Sequence, residues 1–388
     1  MTANIIGWAH SPFGKLEDET VETLIARTAA DAIAHSGIAA ADIDEIFLGH
    51  FNAGFCPQEF TAALVLQADP ALRFKPATRL ENACATGSAA VHTAIRAIES
   101  RRARCTLVVG VEQMSKTPPA EIGRNLLKAS YLKEDGDTEG GFAGIFGKIA
   151  GVYFQAHGDQ SDALAMIAAK NHRNGVANPY AQMRKDLGYA FCREESPKNP
   201  LVAGPLKRTD CSLVSDGAAA LVIANDEIAA NAPRAVNFRA IHHAQDFMPM
   251  STRDIIAFEG CSVAWHGALE RAGLTLKDLS FVETHDCFTI AELIEYEAMG
   301  LAPNGRGADV IKSGMTDMTG ALPVNPSGGL KSKGHPIGAT GVSMHVVSAM
   351  QLCDEAGGMQ VPNARLGGVF NMGGAAVANY VSILERKH

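Results

Sequence analysis

One stretch of the chain occurs twice, and that repetition limits the fold more than any other feature. Gly37-Ile-Ala-Ala-Ala-Asp-Ile-Asp-Glu-Ile46 lines up with Gly273-Leu-Thr-Leu-Lys-Asp-Leu-Ser-Phe-Val282 at a constant offset. Gly37 pairs with Gly273, Asp42 with Asp278, Ile43 with Leu279 and Ile46 with Val282. In each copy a helical pattern ends at glycine, the residue best suited to a left-handed cap, and an apolar run of strand length follows. Further on, Gly338-Ala-Thr-Gly-Val-Ser-Met-His345 opens a small-residue helix much as Ala85-Thr-Gly-Ser88 does, in the same order in both halves. At 388 residues the chain is long for one hydrophobic core. Two similar α/β units, joined by duplication, are the expected solution.

The local patterns agree. Residues 3–8 read as a strand, Val21 to His35 as an amphipathic helix ended at Gly37, and Ile43 to Leu48 as a strand. Cys105 to Val111 is a near-continuous apolar run, as a strand buried on both faces should be. From about Lys116 to Asn199 the chain turns Gly-, Pro- and charge-rich with short helical pieces, such as Asp162 to Asn171, and reads as an inserted loop subdomain. The expected division is an N-terminal half over 1–115, to which 200–235 returns, the loop subdomain over 116–199, and a C-terminal half over 236–388.

Composition narrows the function. With 34 basic against 42 acidic residues the net charge is −8, which argues against nucleic acid as a partner. No apolar run approaches a membrane span, and neither the first ten residues nor the terminal Glu385-Arg-Lys-His388 reads as a targeting signal, so a cytoplasmic protein is expected. The eight cysteines show no CxxC pair and no regular spacing, which speaks against a zinc site or a disulfide framework.

Four stretches could carry chemistry. In Arg79-Leu-Glu-Asn-Ala-Cys-Ala-Thr-Gly-Ser-Ala-Ala90, Cys84 precedes a helix of tiny residues. Placed at a helix N-terminus, its thiol is expected to favour the thiolate and act as a nucleophile; the alternative is an inert buried thiol. Glu283-Thr-His-Asp-Cys-Phe-Thr289 clusters His285 and Cys287 at the C-terminal end of a strand, where α/β folds place reactive groups, or else supplies only turn residues and a buried thiol. In Asn325-Pro-Ser-Gly-Gly-Leu-Lys-Ser-Lys-Gly-His-Pro-Ile-Gly-Ala-Thr-Gly341 the glycines imply close backbone approach around His335, which could serve as a base or as a donor to an oxyanion. Its glycine and Lys-Ser spacing is wrong for a phosphate loop. Gly367-Gly-Val-Phe-Asn-Met-Gly-Gly-Ala-Ala-Val377 is an apolar strand interrupted by glycine, able to offer backbone N–H groups to a reacting oxygen.

Taken in this order and over almost the full chain, the four stretches resemble the thiolase superfamily, with Gly-His-Pro-Ile-Gly-Ala-Thr-Gly the most specific of them. Cys84 and His335 match directly. His285-Asp-Cys-Phe288 is the variant found in thiolases of the sterol-carrier-protein type, and Asn371-Met-Gly373 stands where most thiolases carry an acid/base cysteine. The resemblance implies a thiolase fold, two α/β halves packed as a five-layer αβαβα sandwich with the inserted loop subdomain. It implies reversible Claisen condensation or thiolysis of (3-keto)acyl-CoA through an acyl-Cys84 intermediate. Cys287 would move the proton at the α-carbon, His335 and His285 would stabilise the enolate, and the amides of Cys84 and Gly373 would hold the tetrahedral oxyanion. CoA thioesters are then substrates, no cofactor is bound permanently, and no metal is called for. A homodimer or homotetramer is implied, with a small partner protein in some relatives. His172 lies in a loop stretch that shapes the CoA side rather than the chemistry. The rival readings are a decarboxylating ketoacyl synthase on the same fold, which uses a cysteine with two histidines, and a non-catalytic acyl-CoA-binding subunit of a complex.

Overall fold

In the computed structural model, residues 2–387 are described; Met1 and His388, the outermost residues of the stretches read for targeting signals, lie outside them. The elements run β1 (Ala3–His10), α1 (Val21–Ser36), β2 (Glu45–Gly49), β3 (Ala77–Leu80), α2 (Thr86–Glu99) and β4 (Cys105–Glu112). The inserted segment follows with α3 (Pro119–Leu127), α4 (Leu132–Asp135), α5 (Phe142–His157), α6 (Ser161–Gly175) and α7 (Tyr189–Arg193), and after it comes a hairpin of β5 (Leu201–Ala203) and β6 (Leu206–Lys207). The chain then continues through β7 (Gly217–Asn225), α8 (Asp226–Ala229), β8 (Val236–Gln245), α9 (Glu259–Ala272), β9 (Phe281–Glu283), α10 (Thr289–Ala298) and α11 (Gly307–Lys312). It closes with α12 (Gly329–Lys333), α13 (Ile337–Leu352), β10 (Leu366–Gly373) and β11 (Ala378–Arg386).

The repeat is realised strand by strand. The main sheet has the order β3-β2-β4-β7-β1-β8-β11-β10-β9. In the first half β2 pairs parallel with β4, and β7 pairs antiparallel with both β4 and β1; in the second half β9 pairs parallel with β10, and β11 pairs antiparallel with both β10 and β8. Helices α1 and α9, which precede the matching strands β2 and β9, both end on left-handed glycines, Gly37 at φ 77° and Gly273 at φ 67°. Among the described residues the two wings of the sheet pair through Asn4–Asn237 and Ile5–Val236.

Burial explains the layers. Helix α1 covers one face of the first wing through Leu24, Ile25, Ala29 and Ile33, packing on β1, β4 and β7, whose Ile6, Val109 and Val222 belong to the same buried cluster. Helix α9 covers β8 and β11. Between the wings lie α2 and α13, packed on each other, with α13 reaching β4 and β7 on one side and β10 on the other. Every residue of α13 is buried, as a central helix flanked by two sheets requires. The result is the expected five-layer α/β sandwich. The inserted segment is more helical than its composition suggests: α5 runs for 16 residues despite three glycines, one of which, Gly147, lets the β5–β6 hairpin approach, since a Cβ there would lie 2.9 Å from Ala203.

Candidate active site

Cys84 is set by a strained turn. Ala83 sits in the left-handed region at φ 49°, an unfavourable conformation for alanine that persists only where its surroundings enforce it. The turn delivers Cys84 immediately before Ala85, the N-cap of α2. The sulfur is nearly inaccessible, at 4% exposure, and the amide of Gly374 donates toward it. Burial pushes the Cys84 thiol up to about 12, and the Gly374 amide only partly opposes this. Desolvation therefore outweighs the helix N-terminus, and the expected resting thiolate gives way to a neutral Cys84 thiol.

His335, in the loop between α12 and α13, shares the cavity with Cys84. The Thr340 hydroxyl donates to the Pro336 carbonyl at 2.9 Å and so has only its lone pairs for His335 Nδ1, 2.7 Å away. His335 Nδ1 must therefore donate, which leaves Nε2 as a free acceptor; Nε2 is buried and has no partner among the described residues. Burial, and then the Lys333 charge, hold this imidazole down to about 3, so it waits unprotonated.

His285 takes the opposite tautomer. The Asn371 side-chain amide donates from Nδ2 to the Cys84 carbonyl at 3.1 Å and to His285 Nδ1 at 2.9 Å. Because a carbonyl can only accept, the Asn371 orientation is set, Nδ1 of His285 is the acceptor, and its proton sits on Nε2. That Nε2 is also buried without a partner among the described residues. Burial, then His335, keep His285 neutral, well below the usual imidazole range. The rings meet edge to face with centroids 5.1 Å apart, and one nitrogen of each lies with Cys84 Sγ in a triangle whose sides are all within 4.8 Å. One imidazole is thus poised to accept a proton and the other to donate a hydrogen bond.

Cys84, Cys287 and His335 line a single cavity of about 150 Å³. Its other walls are mainly apolar, made by Leu126 and Phe142 from the inserted segment, Val202 of β5, Leu213 and Phe288. Phe288 stacks on Phe146 of α5 at 4.4 Å, so the inserted segment is anchored on the Cys287 strand end. The Cys287 thiol is likewise neutral: burial, and after it the neighbouring Cys84, raise it well above the ordinary thiol range.

The glycine-rich stretch before His335 has a different use from the phosphate loop it superficially suggests. The amides of Leu330 and Lys331 donate to the carboxylate of Asp286, at 2.6 and 3.2 Å. A Cβ on Gly329 would stand 2.3 Å from that carboxylate, and Gly329 itself is left-handed at φ 58°. Asp286 thereby ties the segment carrying Cys287 to the segment carrying His335. Asn171 of α6 donates to Asp286 at 2.7 Å and to Glu292 at 2.6 Å, and Glu292 pairs with the buried Lys170 at 2.9 Å. Behind Cys84, Glu112 accepts from the amides of Phe51, Asn52 and Gly338 and faces His50 Nε2 at 3.3 Å.

All of Cys84, His285, Cys287 and His335 gather here. Gly373 packs against the Cys84 turn, where a Cβ would lie 2.5 Å from the Asn82 carbonyl, while the amide directed at the sulfur belongs to its neighbour Gly374. Asn371, Thr340 and Asp286 carry parts that no spacing in the sequence announces, because each acts through a partner distant in the chain. Cys211, which belongs to none of the four stretches, lines the cavity, and the Ser212 amide donates to the Cys287 carbonyl at 2.9 Å. His172 is buried within α6.

The family model described as "Thiolase, N-terminal domain" matches residues 3–227, and "Thiolase C-terminal domain-like" matches residues 242–386. An acetyl-CoA acetyltransferase of Methanothermobacter thermautotrophicus is 33% identical, over 98% of this chain and 99% of that protein. Human sterol carrier protein 2 is 34% identical over 78% of this chain and 57% of its own length. The solved structure "Ltp2-ChsH2(DUF35) aldolase" superposes with a TM-score of 0.84 at 19% identity, covering 99% of this chain and 98% of that one, a likeness of fold.

Proposed function

The chain belongs to the thiolase family and is an acyl-CoA C-acyltransferase, and on that premise we propose that Cys84 carries the acyl group while Cys287 moves the proton at carbon. The observation that carries this reading is the meeting of both thiols and His335 at one cavity.

The steps follow from the protonation states. As a 3-ketoacyl-CoA enters, His335 Nε2 takes the Cys84 proton and the sulfur attacks the keto carbon. The amides of Cys84 and of the Gly373–Gly374 segment receive the oxyanion. The C2–C3 bond breaks, leaving the acyl group on Cys84 and an acetyl-CoA enolate. That enolate oxygen is held by Nε2–H of His285 and by the newly protonated Nε2 of His335. Cys287, a neutral thiol, gives its proton to C2, and acetyl-CoA leaves. Free CoA then attacks the acyl-Cys84 thioester; its thiol proton restores Cys287, and His335 returns its proton to Cys84. Read backwards, the same groups condense two thioesters. Neutral resting thiols suit this scheme, because each proton is moved only when substrate has filled the cavity and excluded water.

The same reading takes 1–115 with 200–235 and 236–388 as the two catalytic halves, and 116–199 as the segment that shapes the acyl and CoA walls. It has CoA thioesters come and go with no permanent cofactor, and makes the enzyme a cytoplasmic homodimer or homotetramer. Among the described residues no helix is long and apolar enough to cross a membrane. A small partner protein is part of the proposal, supported by the complex in which the aldolase relative was solved.

The test is to mix the enzyme with acetoacetyl-CoA, quench, and locate the acyl group by mass spectrometry of peptides. An acetyl group on the Cys84 peptide, removed by added CoA and missing from Cys84→Ser, is the expected result. Acylation elsewhere, or turnover of malonyl-CoA with loss of carbon dioxide in place of thiolysis, would favour the ketoacyl-synthase reading. Absence of both reactions would favour the non-catalytic subunit.

A further inference from the structure

The three groups that converge below the cavity also form a ligand set. Both Nδ1 atoms are engaged, by Asn371 and by Thr340, and both Nε2 atoms are buried beside the buried Cys84 thiol with no partner among the described residues. Buried polar atoms left unpaired are uncommon and call for an occupant. Thiolate and imidazole together select zinc and similar transition ions over magnesium or calcium. Three protein ligands with a fourth position open to a cavity is the arrangement of an accessible zinc site. Zinc bonds of about 2.0–2.3 Å give ligand-to-ligand edges of about 3.4–3.6 Å. The observed triangle, within 4.8 Å on every side, reaches that size by side-chain rotations of about 1 Å. Val202, exposed at the cavity wall, marks the way in.

We propose that the substrate-free enzyme binds one Zn²⁺ through Cys84 Sγ, His285 Nε2 and His335 Nε2, with water in the fourth position, and is switched off by it. Inhibition follows directly, since the ion occupies the nucleophile, its base and the enolate donor together. The proton balance is simple. Cys84 releases its thiol proton to solvent as the sulfur–zinc bond forms, and His335 ligates with the lone pair already free. His285 moves its proton from Nε2 to Nδ1, and the Asn371 amide, held toward the Cys84 carbonyl in the metal-free enzyme, gives up that bond and turns over so that Oδ1, which has no partner among the described residues, accepts it. One proton leaves per ion, and nothing is oxidised or reduced. Such a site gives no spacing signal, because its ligands come from three stretches far apart in the chain.

The test uses the full chain and Co²⁺ as a spectroscopic substitute. One equivalent should produce the visible bands of a tetrahedral ion together with a thiolate-to-cobalt charge-transfer band. That band should vanish in Cys84→Ser, and the affinity should fall by more than about 10-fold in His335→Ala and His285→Ala. Zn²⁺ should displace the cobalt, slow iodoacetamide labelling of Cys84, and inhibit turnover until a chelator is added. Circular dichroism and the thermal midpoint of each variant show that it is folded. A spectrum without sulfur charge transfer, or one that survives Cys84→Ser in the folded protein, overturns the proposal, since the ion would then sit on other groups. The cobalt and labelling measurements need no turnover, so their failure and a failure of acyl trapping are separate results.

Discussion

At the scale of single residues, the site is governed by desolvation. Cys84 stands at a helix N-terminus, which should favour the thiolate, yet burial pushes its thiol up to about 12. The sign is testable. A raised thiol carries little thiolate at neutral pH, and the reactive fraction grows as pH rises. Alkylation of Cys84 by iodoacetamide in the free enzyme should therefore climb about tenfold per pH unit from about pH 6 to about pH 10 with no plateau. A levelling near neutrality, followed by peptide mass spectrometry, would mean that the thiolate exists at rest and that His335 is not needed to create it. The neighbouring histidines show how second partners assign roles: Thr340 makes His335 an acceptor at Nε2, and Asn371 makes His285 a donor there. Cys84, His285, Cys287 and His335 could be named from the sequence because each sits in a recognisable local pattern. Thr340 and Asn371 could not be given these parts, because a tautomer depends on contacts across the fold.

At the scale of elements, small residues decide how closely α2 and α13 cross. A Cβ on Gly87 would lie 2.7 Å from the Val342 amide nitrogen, and one on Gly341 would lie 2.2 Å from that of Ser88. Backbone cannot retreat as a flexible side chain can. Gly341→Ala should cost about 3 kcal/mol by overpacking and misplace Cys84 and His335 together, lowering both the denaturation midpoint and kcat. Gly151→Ala is the matched comparison. Gly151 lies in α5, and a methyl group added there would meet nothing within 4 Å, so the change should stabilise by about 0.5–1 kcal/mol through helix propensity alone. Denaturant melts of the two variants check both signs. The inserted segment was the part least readable by pattern, since glycines at 144, 147 and 151 mask the 16-residue helix α5, which owes its existence to tertiary burial of Phe142, Phe146 and Ile149.

At the scale of the molecule, two wings with matching strand directions enclose a shared helical layer, and neither half owns its core. Helix α13 belongs to the second half yet packs on β4 and β7 of the first. The two halves should therefore unfold as one unit, although among the described residues only two residue pairs join their sheets. Each half carries one tryptophan, Trp8 on β1 and Trp265 in α9. Fluorescence of Trp8→Phe and Trp265→Phe, which each leave one reporter, should give denaturant transitions of the same width, each matching the circular dichroism of its own variant. Two separated transitions in either variant would show independent halves. The sequence by itself determined the duplication, the alternation of strands with helices, the capping glycines and the identity of four side chains that gather at the cavity, because periodicity, cap geometry and local motifs are short-range. Only the tertiary structure decided that both thiols are neutral, which imidazole nitrogen is free, and that Asp286 braces the two catalytic segments, because burial and hydrogen-bond partnership are made by residues far apart in the chain.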